Sequence, residues 1–315
     1  MRVLVTGGSG LVGTAFSNHT HSNIEWLVLK GPGSGGIDLC NREQTLDTLS
    51  DLKVDAVVHA AARVGGIMDN IKNPADFFYK NSIMNANTLE AASTLGIKKC
   101  ISFLSTCIYP DLSDYPLAES RIHSGPPHES NFAYAYSKRM LDVQSRAINK
   151  QMGYQYFCVC PNNLYGINDN FHLEKSHVIP AMIRKFYESK ISGTPITLWG
   201  SGTPMREFTY AGDIPDVISF LLMLDHTIEG IVNIGNTAEE ISISKLSSII
   251  KNVLDIEDKT FWDRTKPDGQ IRKPSSSEKL SVLGYNVNSF TSIEEGIEKT
   301  VEWFVRNYPE VRGIK

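Results

Sequence analysis

Two short stretches of this 315-residue chain carry side chains able to work on a carbonyl group. Ser105-Thr106-Cys107-Ile108-Tyr109-Pro110 follows an apolar run from Cys100 to Leu104, and Tyr134-Ala135-Tyr136-Ser137-Lys138 opens a helical pattern. Residues four apart share a helix face, so Tyr134 and Lys138 can address one point. A phenol with a pKa of about 10 is a poor acid–base group at neutral pH. A neighbouring ammonium favours the phenolate and brings the hydroxyl toward the working range, and a serine opposite can hold a carbonyl oxygen. Tyr136 lacks such a partner, since Met140 stands four residues on.

These groups need a scaffold that brings them to one edge, and the chain supplies one. Arg2 to Thr6 reads as a strand that runs into Thr6-Gly7-Gly8-Ser9-Gly10-Leu11-Val12-Gly13 and a helix. Gly7, Gly10 and Gly13 in that setting allow a tight turn, close approach of a pyrophosphate and close helix–strand packing. The free amides of the helix start attract phosphate. The second strand, Glu25 to Leu29, ends in Lys30. An acid there would take the ribose 2′-hydroxyl of NAD, whereas a cation suits the 2′-phosphate of NADP. The glycine-rich segment 31–36 is expected to loop round the adenosine, with Asp38 and Leu39 beside the adenine. A third strand, Val54 to His59, delivers Ala60, Ala61 and Ala62, small enough for a cofactor to lie on the backbone.

Further on, a helical pattern covers about residues 74–95, and the Tyr134 helix runs to about Gln151, before a strand from Tyr156 to Cys160. Alternation of strands and helices defines an α/β fold, a Rossmann-type doubly wound parallel sheet whose ligands bind at the carboxyl ends of the strands. After Pro161 the pattern changes. Asn162 to Gly166 reads as a turn-rich exit from the sheet, and a smaller α/β substrate-binding lobe is expected. Residues 1–161 with about 207–235 would form the dinucleotide domain, and 162–206 with 236–315 the second lobe.

Composition narrows the classes. A net charge of −4 gives no basic footprint for nucleic acid. No apolar run approaches the roughly 18 residues of a membrane span. Five cysteines lack metal-ligand spacing, and the amino terminus enters a strand directly. A reduced, cytoplasmic protein without structural zinc is expected.

Together these segments resemble the extended short-chain dehydrogenase/reductase family, and within it the GDP-4-keto-6-deoxy-mannose 3,5-epimerase/4-reductases. The resemblance is carried by Ala61–Gly66, Ser105–Pro110, Asn163–Gly166, Asp169–His172, Ser176–Pro180 and Trp199–Gly202, and covers essentially the whole chain. It implies NADP(H) as cofactor, with contacts extended to Leu11, Val12, Pro161, Asn163, Leu164 and His177. Cys107 would be the base that takes protons from C3 and C5, and His177 the acid that returns them. Tyr134 would give the proton during reduction at C4, Lys138 would hold the nicotinamide ribose and lower the tyrosine pKa, and Ser105 would position the keto oxygen. A GDP-linked 4-keto sugar would meet Asn163, Val178, Lys185, Trp199, Arg206 and Lys273. Where some members carry an arginine near the 2′-phosphate this chain has Ser9, leaving Lys30 for that group. The family commonly dimerises through two long helices, here about 74–95 and 132–151. Two other readings stay open: a C4-reductase of another GDP-4-keto sugar, such as a 6-deoxy-heptose, and a non-catalytic NADP-binding scaffold.

Overall fold

The computed structural model describes residues 1–257, 260–266, 268 and 270–314. The first part of the chain runs β1 (Arg2–Thr6), α1 (Leu11–Ser17), β2 (Glu25–Leu29), α2 (Arg42–Leu52), β3 (Ala56–His59), α3 (Ile67–Lys72), α4 (Pro74–Thr94), β4 (Lys99–Phe103), α5 (Phe132–Met152) and β5 (Gln155–Pro161). Then follow β6 (Asn163–Tyr165), α6 (Val178–Ser192), β7 (Ile196–Trp199), β8 (Met205–Arg206), β9 (Phe208–Tyr210), α7 (Ile214–Met223) and β10 (Ile231–Ile234). The chain continues through β11 (Ile241–Ser242), α8 (Ile243–Leu254), β12 (Thr260–Asp263), α9 (Glu278–Val282) and α10 (Ile293–Asn307).

Six strands form one parallel sheet in the order β10-β5-β4-β3-β1-β2. The chain leaves β1 toward β2 and returns to β3 on the other side, so the switch point lies between β1 and β3, where open α/β sheets bind ligands. Alternate side chains of a strand face opposite ways. Val3 and Val5 accordingly pack with Phe16, Val217 and Leu221 on one face. Leu4 packs with Leu49, Leu89 and Leu141 on the other. Burial on both faces is why the strands read as nearly continuous apolar runs.

The second lobe has its own core, in which Phe186 and Ile183 of α6 meet Leu246 and Ile250 of α8 and Ile297 and Phe304 of α10. Its short strands pair as β6 with β9, β7 with β12 and β8 with β11. The expected turn-rich exit at 162–166 is instead a short strand, Asn163–Tyr165, parallel to Phe208–Tyr210. Two stretches pack differently from the expected division. Phe208 and Tyr210 lie in the second core, and Leu280 and Phe290 return to the first, where α9 lies against β10. Both exchanges follow from burial, because each residue goes to the apolar face its short element meets.

Candidate active site

One cleft of about 1410 Å³ runs from the glycine turn, across the carboxyl ends of the sheet strands, to Trp199 and Arg206. Of the residues expected at the cofactor, Gly7, Gly10, Leu11, Val12, Lys30, Asp38, Leu39, Ala60, Ala61, Ala62, Tyr134, Lys138, Pro161, Asn163, Leu164 and His177 all line it. Gly13 does not. It lies beneath the turn, where a Cβ would sit 2.3 Å from the Gly7 carbonyl oxygen, so its role is packing. Gly7 has φ +85° and lies against the Ala61 backbone; a Cβ there would approach Ala61 N to 2.9 Å. Only glycine meets both demands. α1 begins at Gly10 with no side-chain cap and no acid in its first turn, which leaves its amides to an anion. A backbone cradle backed by Lys30 fits a phosphorylated dinucleotide.

A buried polar chain ties this cradle to the Tyr134 helix. The Ala61 amide donates to Thr6 Oγ1 at 3.1 Å, and that oxygen lies 2.9 Å from His59 Nδ1. His59 Nε2 is 3.0 Å from Asn85 Oδ1, and Asn85 Nδ2 donates to the Ser137 carbonyl at 3.0 Å. Because the Asn85 amide nitrogen is spent on Ser137, its oxygen must accept, which puts the imidazole proton on Nε2. Burial, reinforced by the Lys138 charge, drops the His59 pKa to about 3, so the ring is neutral. Asn81 holds the next loop, accepting from the Arg63 amide at 2.9 Å and donating to the Arg63 carbonyl at 3.1 Å.

Tyr134 and Lys138 are both buried on the first turns of α5. The expected pairing differs in one respect. The Lys138 ammonium donates to the Phe103 carbonyl at 2.9 Å, and burial lowers its pKa to about 8, against the opposing pull of Cys107 and Cys158. Tyr134 is not brought down. Burial, with Cys107 and Cys160 as neighbours, pushes its hydroxyl well above the ordinary value. With the ammonium committed to the end of β4, the phenol remains a protonated donor at neutral pH.

Cys107 sits on the turn after β4, and Ser105 and Thr106 open into the cleft just before it. Burial holds its thiol above the ordinary value, and the ammonium of Lys273, a hydrogen bond with Ser105 and the charge of Lys138 offset only part of that rise. Neither Cys107 nor Lys273 lines the cleft itself; they lie beside it, close enough for the Lys273 charge to favour the thiolate. Arg139, next to Lys138 on α5, fixes this turn by donating through Nε to the Ile108 carbonyl at 2.7 Å and through Nη1 to the Gly125 carbonyl at 2.8 Å. His177 is the N-cap residue of α6, with a side chain that makes no capping bond and faces the cleft. Its loop is tied to the Ala60–Gly66 segment by the Gly66 amide, which donates to the Lys175 carbonyl at 3.1 Å.

At the far end the expected substrate residues Asn163, Val178, Lys185, Trp199 and Arg206 also line the cleft. Trp199 is about half exposed, with the Lys185 and Lys266 ammonium groups 5.6 and 5.5 Å from its ring centre. Arg206 donates to its neighbouring Met205 carbonyl at 2.7 Å. Thr106, Arg63, Asp169 and Arg312 line the cleft without having been singled out from the sequence. Thr106, Arg63 and Asp169 stood inside the segments that carry the resemblance, but Arg312 lies beyond the last helical pattern, where no local signal marks it.

A glycine cradle for a dinucleotide, continuous with a tyrosine, a lysine and a serine at the end of one strand, defines a nicotinamide-dependent enzyme acting on carbonyl compounds. The chain belongs to the NAD-dependent epimerase/dehydratase family, whose pattern matches residues 3–235. Over 314 residues it is 38% identical to a GDP-L-fucose synthase of Dictyostelium discoideum, covering 98% of this chain and 97% of that protein. It is 39% identical over 307 residues to the GDP-L-fucose synthase of Sinorhizobium fredii, covering 97% and 96%. The crystal structure of a GDP-L-fucose synthetase from Naegleria fowleri bound to NADP superposes with a TM-score of 0.91 at 35% identity, covering 99% of this chain and 94% of that one.

Proposed function

We propose that the chain is an NADPH-dependent epimerase/reductase that converts GDP-4-keto-6-deoxy-mannose to GDP-L-fucose. The observation that carries this reading is the union, around one cleft, of a reducing constellation (Ser105, Tyr134, Lys138) and a separate thiol–imidazole set (Cys107, His177). A simple reductase needs only the first. Three relatives described above, named for GDP-L-fucose synthesis, support it.

Each side chain has a definite task in this reading. The keto group acidifies the protons at C3 and C5. Cys107 removes them as its thiolate, which Lys273 and Lys138 favour against burial. His177 returns a proton to each carbon, so epimerisation consumes no net proton. The bound dinucleotide supplies a hydride to C4. Tyr134, kept protonated, gives the matching proton to the C4 oxygen, and Ser105 holds that oxygen before transfer. Trp199 offers a flat face to the guanine and Arg206 meets the diphosphate, while Lys273, expected there but set off the cleft wall, acts on Cys107.

The test is product NMR after turnover in deuterium oxide. The expected wild-type product carries deuterium at C3 and C5. Cys107→Ser replaces a thiol with a pKa of about 8.5 by a much weaker acid of similar size. It should lose both labels and still reduce C4 of the unepimerised sugar. A wild-type product labelled at neither carbon would leave a plain 4-ketoreductase. Running the same assay with a GDP-4-keto-6-deoxy-heptose separates the two substrates.

A further inference from the structure

The segment after α10 enters the cleft next to the glycine cradle. Val311 is buried in the second core, and the Phe171 amide donates to the Arg312 carbonyl at 2.8 Å. Arg184 Nη1 donates to both the Phe171 and Gly313 carbonyls at 3.1 Å. The backbone at Arg312 is therefore fixed from two sides. Its guanidinium reaches back across the cleft to the start of α1. Nη1 lies 3.4 Å from the Ser9 carbonyl oxygen and 3.6 Å from where a Gly10 Cβ would stand. Asn168, from the neighbouring loop, meets the same turn, with Nδ2 donating to Thr14 Oγ1 at 2.7 Å.

Among the described residues, no carboxylate lies within ion-pair distance of Arg312. Among the described residues its guanidinium makes one hydrogen bond, a long one to Ser9 O, although burial is sufficient to weaken its hold on its proton. A largely buried guanidinium with spare donors, beside the uncapped amides of α1, is a site for a dianion in fork geometry. Asp169, whose carboxylate is buried and has one oxygen without a hydrogen-bond partner, lines the same wall and is charge-coupled to Arg312.

We propose that Arg312 is a ligand of the cofactor's diphosphate, so that the segment following α10 closes the dinucleotide site that the glycine turn opens. This rests on the dinucleotide reading above and adds to it a residue from the opposite end of the chain. The diphosphate is preferred over the 2′-phosphate because Arg312 faces Ser9 O and Gly10, whereas Lys30 and the Ser9 hydroxyl, which accepts from Gly31 N at 3.4 Å, lie toward the second strand.

The experiment is equilibrium binding of NADPH and of NADH, each followed by the fluorescence of the bound reduced cofactor, for wild type, Arg312→Gln and Arg312→Lys. Hydrogen bonds to charged groups of this kind correspond to roughly ten- to hundredfold in affinity. Arg312→Gln should weaken both cofactors by that factor and by the same ratio, because both carry the diphosphate. Arg312→Lys, a point charge without the fork, should recover part of the loss. Thermal unfolding without cofactor should be unchanged in Arg312→Lys. Weakening of NADPH alone would transfer Arg312 to the 2′-phosphate and overturn the proposal. So would unchanged affinity for both, or a loss for both accompanied by an equal drop in unfolding temperature for the two variants. Failure of the wild type to bind either cofactor would instead remove the dinucleotide reading itself.

Discussion

Tyr134 and Tyr136 stand two residues apart on α5 and make a direct comparison of what position does to one side chain. Tyr134 is buried beside Cys107, with the Phe77 ring edge-on at 6.1 Å. Tyr136 is 42% exposed on the outer face, where the Arg139 guanidinium lies 5.4 Å from its ring. Only the first can hand a proton to a group in the cleft. Tyr134→Phe should lower the rate of C4 reduction by about 10²–10⁴, the range of general acid catalysis. Tyr136→Phe should change it by less than a factor of about three by the same reasoning. Single-turnover oxidation of NADPH with the 4-keto sugar measures both. Equal losses in the two variants would mean that the proton donor is another group. The sequence located this tyrosine through its spacing to Lys138. It did not reveal that the ammonium turns to the Phe103 carbonyl, because that depends on where β4 ends beside α5.

At the scale of elements, the cleft depends on a staple between strands and helices that share no sequence motif. His59 at the end of β3 links Thr6 of β1 to Asn85 of α4, and Asn85 reaches Ser137 of α5. The imidazole is neutral, and its pKa of about 3 lies below the ordinary 6.5. The sign follows from proton counting. Between these values the unfolded chain binds a proton that the native protein refuses, so stability rises with pH across that window. The contribution is complete above about pH 6.5 and is lost as the pH falls toward about 3. Two pH units of that window are worth at most about 2–3 kcal/mol. His59→Gln should cost about 1–2 kcal/mol at pH 7, for one imperfect buried hydrogen bond. It should also flatten the decline in stability between pH 6.5 and 4.5, as read from urea unfolding at each pH. An equally steep decline in the variant would place the acid sensitivity elsewhere. This staple illustrates what could be read beforehand. Periodicity located the long strands and helices to within a few residues, and the glycine spacing located the cradle. The partners of His59 were not legible, since contacts between residues 53 and 26 positions apart depend on strand order rather than on local pattern. The same holds for Arg312, which meets Ser9 across nearly the whole length of the chain.

For the molecule as a whole, the surface of α4 and α5 sets the remaining question. α5 carries Phe132, Tyr136, Met140 and Val143 at spacings of four, four and three, which places them on one helical stripe. All four are exposed, as is Phe78 on the adjoining α4. The inner side of the same helix is buried and holds Tyr134, Lys138 and Leu141, while Met140 on the outer stripe meets Ser82 Oγ of α4 at 3.6 Å. Contiguous apolar surface of this kind on two long neighbouring helices marks a contact site rather than a solvated face. The dimer that the family resemblance implies would set α4 and α5 of two copies into a four-helix bundle on this stripe, which the following experiment tests. Replacing Met140 and Val143 by Lys together introduces two like charges on each side, with no acid at helical spacing to pair them, so they would be buried without partners. Sedimentation velocity at micromolar concentration should give a dimer for the wild type and a monomer for the double variant. NADPH affinity should be retained, because neither residue lines the cleft. A wild-type monomer, or a dimer unaffected by both charges, would move the interface off this stripe.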